Sequence, residues 1–182
     1  RWILLASLAS GISRSKNLLI SEDVLATIQA VKKLGIKVIL KNQDCKVYGK
    51  GLDGYKYKKN IIINAKNSGT LARLLPGLLI NSNHKIKIIG DKSLSKRDFK
   101  RIAEPLKKFG GNLLLSQGKR LPLTINGLNN PRPIKYFETK GSAQCKSSVI
   151  FAGLRTNGTT VIKAKKSRNH TELLCKHLKM PV

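Results

Sequence analysis

The sequence predicts an α/β fold built from one unit of about seventy residues used three times. Three observations carry that prediction. Apolar, small-residue-rich stretches recur at residues 1–10, 69–80 and 142–154, each long enough for a buried helix. A short β-branched run follows each of them, at 17–20, 85–89 and 159–164. A serine then stands where a helix N-cap belongs, at Ser21, Ser95 and Ser167, at intervals of 74 and then 72 residues.

The elements follow in order from these marks. The serine opens a second, amphipathic helix. Lys32-Lys33-Leu34-Gly35 closes that helix in the first unit, Lys107-Lys108-Phe109-Gly110 in the second, and Lys176-His177-Leu178 begins the same ending in the third. Lysines in a last turn suit the negative end of the helix dipole, and glycine is the natural residue just past a helix. Two short strands come next, at 37–40 and 46–48, then at 112–115 and 123–125. Adding the strand expected upstream of each first helix, the whole unit reads β-α-β-α-β-β. The chain opens within its first helix and stops at Pro181-Val182, so the first and last units are expected to be incomplete. No Pro/Gly/Ser-rich linker separates the units, which predicts one domain over residues 1–182.

Composition narrows the function. Hydrophobic residues make up 41% of the 182, ordinary for a packed domain, and no apolar run approaches a membrane span. Cys45, Cys145 and Cys175 are scattered and form no CxxC pair, which argues against a disulfide framework or zinc site and fits a reducing cytoplasm. Lysine and arginine number 36 against 9 acidic residues, a formal charge of +27. Such a charge suits anionic partners, either small molecules or nucleic acid. Aromatic residues are only 5%, too few for base-stacking platforms, so nucleic acid is not expected.

Four segments carry the chemistry. Asn67-Ser68-Gly69-Thr70 precedes Arg73 at a helix start, where Gly69 permits close backbone approach and Thr70 offers a cap. Gly90-Asp91-Lys92-Ser93-Leu94-Ser95-Lys96-Arg97 turns from a strand into a basic helix start, with Arg97 placed to grip an oxyanion by its fork. Gly141-Ser142-Ala143-Gln144-Cys145-Lys146-Ser147-Ser148 enters the third apolar helix, and Ser142, Gln144 and free N–H groups there suit a phosphate. Ser167-Arg168-Asn169-His170-Thr171-Glu172 opens the last helix. No Ser-His-Asp set, metal cluster or GxxxxGK[ST] loop is present. A symmetric repeat would aim the first helices to one side, where their N-termini together make an anion site.

In this order and spacing the segments resemble the 3-phosphoshikimate 1-carboxyvinyltransferase family, also called 5-enolpyruvylshikimate-3-phosphate (EPSP) synthases. The matching stretches are Asn-Ser-Gly-Thr with Arg73, Gly-Asp-x-Ser-Leu-x-x-Arg, Leu121-Pro122-Leu123, Ser-Ala-Gln-x-Lys-Ser and Ser-Arg-x-His-Thr-Glu. The resemblance runs from Arg1 to His177. It implies two similar domains of three β-α-β-α-β-β units each with the active site between them, this chain being the N-terminal, enolpyruvyl-transferase-type one and the second lying outside it.

The resemblance also implies roles. Arg1, Ser142, Ala143, Gln144, Ser167 and Arg168 match residues that hold shikimate 3-phosphate; Asn67, Gly69, Thr70, Arg97 and again Gln144 match the phosphoenolpyruvate site. Asp98 stands where the family usually has proline. Acid–base carboxylates are expected from the second domain, no cofactor or metal is implied, and the whole protein is expected to be a cytoplasmic monomer. The sister transferase acting on a UDP-linked amino sugar shares the fold, but it typically carries a loop cysteine, and residues 90–101 contain none.

Overall fold

The computed structural model describes residues 1–82 and 84–182. In chain order the elements are α1 (Trp2–Leu8), β1 (Ser10–Ser15), α2 (Glu22–Lys33), β2 (Lys37–Lys41), β3 (Asp44–Lys50), β4 (Ile61–Asn64), α3 (Gly69–Leu78), β5 (Ile86–Ile89), α4 (Lys92–Ser95), α5 (Lys100–Lys107), β6 (Asn112–Ser116), β7 (Arg120–Asn126), β8 (Lys135–Glu138), α6 (Ala143–Leu154), β9 (Val161–Ala164) and α7 (His170–His177).

The middle unit shows the whole pattern. Its sheet runs β4-β5-β7-β6, with β4 parallel to β5 and the β6–β7 hairpin antiparallel beside it. The β1-β3-β2 sheet repeats the β5-β7-β6 part of that order, and the parallel β8-β9 pair repeats β4-β5. The β-α-β-α-β-β unit is therefore present as expected, with β4 and β8 as the upstream strands. Burial alternates along the strands: Leu121, Leu123 and Ile125 of β7 are buried while their neighbours are half-buried, as a strand with one face on a core requires.

The first helix of each unit forms the centre. Almost every residue of α3 and most of α6 are buried, and α1 buries Ile3 through Leu8. The second helices lie further out, with narrower buried stripes such as Ala26, Ile28, Ala30 and Val31 of α2. They bridge units: α2 packs on α3 and α5 on α6, while α3 packs directly on α6. Gly77 makes that last contact possible, because a Cβ there would fall 2.1 Å from the Ser148 carbonyl oxygen.

Several local expectations are corrected. The strand after α1 is residues 10–15, not 17–20. The chain turns extended at Ala9, passes through Gly11 at φ +105°, and pairs with β3 at once. Asn17 at φ +52° then turns it out of the sheet, leaving Leu19 exposed. Ser21 does cap α2, accepting the Val24 N–H. Ser95 caps nothing: Asp91 caps the short α4 that Ser95 ends, and α5 starts only after Phe99. The residue before α7 is Asn169, so Ser167 is not an N-cap either. At α3 the cap is Ser68, whose hydroxyl accepts the Leu71 N–H, not Thr70.

Two predictions follow from this packing. Gly77→Ala places a methyl group against backbone that cannot yield, and should cost about 1–3 kcal/mol or more in denaturant titration despite alanine's better helix propensity. Tyr55 lends itself to a pH test, since its hydroxyl lies 2.7 Å from Ser7 Oγ and burial pushes its pKa up to about 12. The raised value means that this stabilisation is complete below about pH 10 and lost as pH rises toward 12. Melting temperatures of Tyr55→Phe should therefore fall less steeply across that interval than those of the parent chain.

Candidate functional site

The starts of α3 and α6 lie side by side, and Gln144 ties them. Its Oε1 accepts from Arg73 Nη1 at 2.9 Å, and its Nε2 donates to Thr70 Oγ1 at 3.3 Å. Arg73 is buried, its guanidinium 5.2 Å from the centre of the Phe99 ring, and its Nε has no hydrogen-bond partner. Burial is the first cause that lowers its pKa; the neighbouring charges of Arg101 and Arg97 lower it further. Three cations thus share a small region with little acidic compensation, an arrangement that an anion stabilises.

Gly69 forms the floor between them. A Cβ at this position would lie 2.8 Å from Arg73 Nη1 and 3.2 Å from Arg97 Nη1. Arg97 is also held from its other side: Nη2 donates to Asn67 Oδ1 at 3.4 Å, and Asn67 Nδ2 donates to Asp91 Oδ2 at 2.6 Å. An ionised carboxylate only accepts, so Asp91 fixes which end of the Asn67 amide faces Arg97. The other Asp91 oxygen accepts the Leu94 N–H at 2.7 Å, capping α4. Asp98 accepts the Lys100 N–H at 2.7 Å and so shapes the turn after Arg97 with its own side chain. Ser68, the α3 cap, donates to Asp23 in the first turn of α2, which seats the first unit against this site.

At the start of α6 the Ser142 hydroxyl accepts the Cys145 N–H at 3.3 Å. Its own N–H is not free as the sequence suggests. It donates to Glu138 Oε2 at 2.7 Å, and that buried carboxylate also accepts from the Lys140 N–H. Among the described residues the amides of Ala143 and Gln144 have no partner in the chain, as expected for the first turn of a helix. Glu138 is the residue that motif reasoning missed, since an isolated glutamate at a strand end carries no pattern.

The remaining expected residues gather at α7. The Ser167 hydroxyl oxygen and Arg1 Nε are buried without partners. Arg1 has a lowered pKa, first through burial and then through the charge of Arg168, while Glu172 acts the other way. So the starts of α1 and α7 adjoin. The structure brings Asn67, Gly69, Thr70, Arg97 and Gln144 into one cluster and Arg1 and Arg168 into a second beside Ser167, with α6 packed on α3 and touching α7 through Lys146 and Ser147.

The repeat α/β domain gathers helix starts and arginines into two clusters, and comparison with known proteins gives its family. The EPSP synthase (3-phosphoshikimate 1-carboxyvinyltransferase) family profile matches residues 1–182. The chain is 40% identical over 178 residues to the 3-phosphoshikimate 1-carboxyvinyltransferase of Streptococcus mutans, covering 97% of this chain and 42% of that protein. With its Sulfurihydrogenibium counterpart it shares 43% identity over 174 residues, 94% of this chain and 40% of the other. The solved EPSP synthase of Acinetobacter baumannii superposes with a TM-score of 0.90 at 33% identity, covering 96% of this chain and 40% of that one. The chain belongs to the EPSP synthase family, and it spans about two fifths of the length of these relatives.

Gly69→Ala tests the cluster directly. Gly69 is the first residue of α3, where alanine gains little helix propensity, and the methyl group must displace Arg73 Nη1 from its bond with Gln144, so circular dichroism must show the variant folded. Its methyl group intrudes between the two guanidinium groups, and affinity for inorganic phosphate measured by calorimetry should drop roughly tenfold.

Proposed function

We propose that this chain is the N-terminal domain of an enzyme that transfers the enolpyruvyl group of phosphoenolpyruvate to the 5-hydroxyl of shikimate 3-phosphate, releasing phosphate. The observation that carries this reading is the Gln144 bridge between two helix starts. On one side Asn67, Gly69, Thr70, Arg97 and Arg73 suit the phosphate and carboxylate of phosphoenolpyruvate. On the other, Ser142, Ala143, Ser167, Arg168 and Arg1 suit the 3-phosphate and ring of the acceptor. Gln144 belongs to both.

In the reaction, C3 of phosphoenolpyruvate takes a proton and the acceptor's 5-hydroxyl oxygen bonds to C2 while giving up its own proton. The tetrahedral adduct then loses phosphate from C2 and a proton from C3. Two phosphates and a carboxylate must be held together, so the main task of this domain is to offset their repulsion and orient them. Arg73 and Arg97 do so with fixed charge, and the α6 amides with N–H groups that need no reorganisation. The acid and base that move the protons are assigned to a second domain, so the chain alone should show negligible turnover. The natural setting proposed is a cytoplasmic monomer in aromatic biosynthesis. Among the described residues no helix is long and apolar enough to cross a membrane.

Calorimetry with shikimate 3-phosphate, and shikimate as control, tests the assignment. The phosphorylated ligand should bind, shikimate should bind much more weakly, and Ser142→Ala with Ser167→Ala should abolish the difference. Ser142→Ala also removes a helix cap worth about 1 kcal/mol, so circular dichroism must show the double variant folded. Equal affinity for both ligands would refute the phosphate subsite.

A further inference from the structure

Two adjacent polar links clasp α6 to α7. Ser147 Oγ and Thr171 Oγ1 lie 2.7 Å apart, and both residues are buried. Next to them Lys146 Nζ stands 2.5 Å from Glu172 Oε1, with the lysine side chain 11% exposed and the glutamate 32%. Apolar anchoring of α7 is narrow, limited to Cys175 and half-buried Leu174, with Met180 just past the helix. Of its eight residues only Thr171 and Cys175 are buried, and Leu173 is exposed. The polar links add to these contacts at the end of α7 nearest the Ser167–Arg168 loop, where the helix buries only Thr171.

The clasp lies one turn behind the proposed acceptor subsite on both of its walls. Lys146 follows Ser142 by four residues, which puts the two on one face of α6. Glu172 lies in the first turn of α7, directly beyond Ser167 and Arg168. Its second oxygen is buried without a partner, and Arg1 on α1 responds to its charge. Lys146 is turned into this contact, and its charge is matched there, so it is not available as a ligand for an anion.

We propose that Lys146 and Glu172 are a positioning pair that sets the distance between the Ser167–Arg168 loop and the Ser142–Gln144 helix start, and so preorganises the shikimate-phosphate subsite. The proposal rests on the assignment of that subsite made above. Preorganisation raises affinity by lowering the ordering cost of binding. Removing one member of a buried pair strands a charge, whereas replacing both by neutral groups of similar shape is often harmless to stability. This difference separates positioning from simple support of the fold.

The test uses Lys146→Met, Glu172→Gln and the double variant K146M/E172Q. Each single variant should melt lower than the parent, and the double variant should regain most of that loss. In the double variant, amides 166–171 should still exchange hydrogen faster than in the parent while the α6 core is unchanged. Its affinity for shikimate 3-phosphate should stay roughly tenfold weaker, with inorganic phosphate at the Gly69 cluster bound as before. A double variant with parental exchange and parental affinity overturns the proposal. If the parent itself fails to bind shikimate 3-phosphate, the subsite assignment falls instead, and the exchange data alone then decide whether the pair orders the loop.

Discussion

The direct contact between α3 and α6 is the constraint on which the rest depends. Two helices approach this closely only where one presents bare backbone, and Gly77 does so against the Ser148 carbonyl. That contact lies well along both helices, and it brings their first turns together as well. Gln144 can then reach both Thr70 and Arg73. Widening this packing by the width of a methyl group would part the two helix starts that the site needs together.

The electrostatics follow from the same geometry. Arg73 is buried against Phe99 and beside two further arginines, a costly position in an unliganded chain. An anion bound between these arginines would offset that cost, which is what the proposed substrates would supply. The helix starts add partial positive charge without adding side chains. Acidic residues nearby orient rather than neutralise: Asp91 fixes Asn67, and Glu138 fixes the turn into α6 through two backbone amides.

Much of this was legible in the sequence, and the failures have physical causes. The seventy-residue period, the buried first helices and the paired strands after Gly35 and Gly110 all match the structure, because hydrophobic period and helix-stop glycines are local signals. The serine caps were legible only in part. Ser21 acts as read, whereas Ser95 ends a short extra turn capped by Asp91, and α7 starts after Asn169, which makes no side-chain cap bond. Similarly β1 could not be placed, because its pairing with β3 is a tertiary event that overrides the β-branched run following it. In the candidate site the motif residues fall into two clusters, and most of their partners are distant in sequence. Glu138 beneath Ser142, and the Lys146–Glu172 pair, become meaningful only once α6 and α7 are seen packed.

The way the units are stapled has a consequence for how the protein is made. The outer helices of the first two units rest on the inner helix of the next, α2 on α3 and α5 on α6. Residues translated earlier therefore expose an apolar surface whose cover has not yet been translated. At the usual elongation rates this gap lasts on the order of several seconds per unit. The domain thus settles only after its third copy appears, and nascent chains of one or two copies are natural clients for holding chaperones.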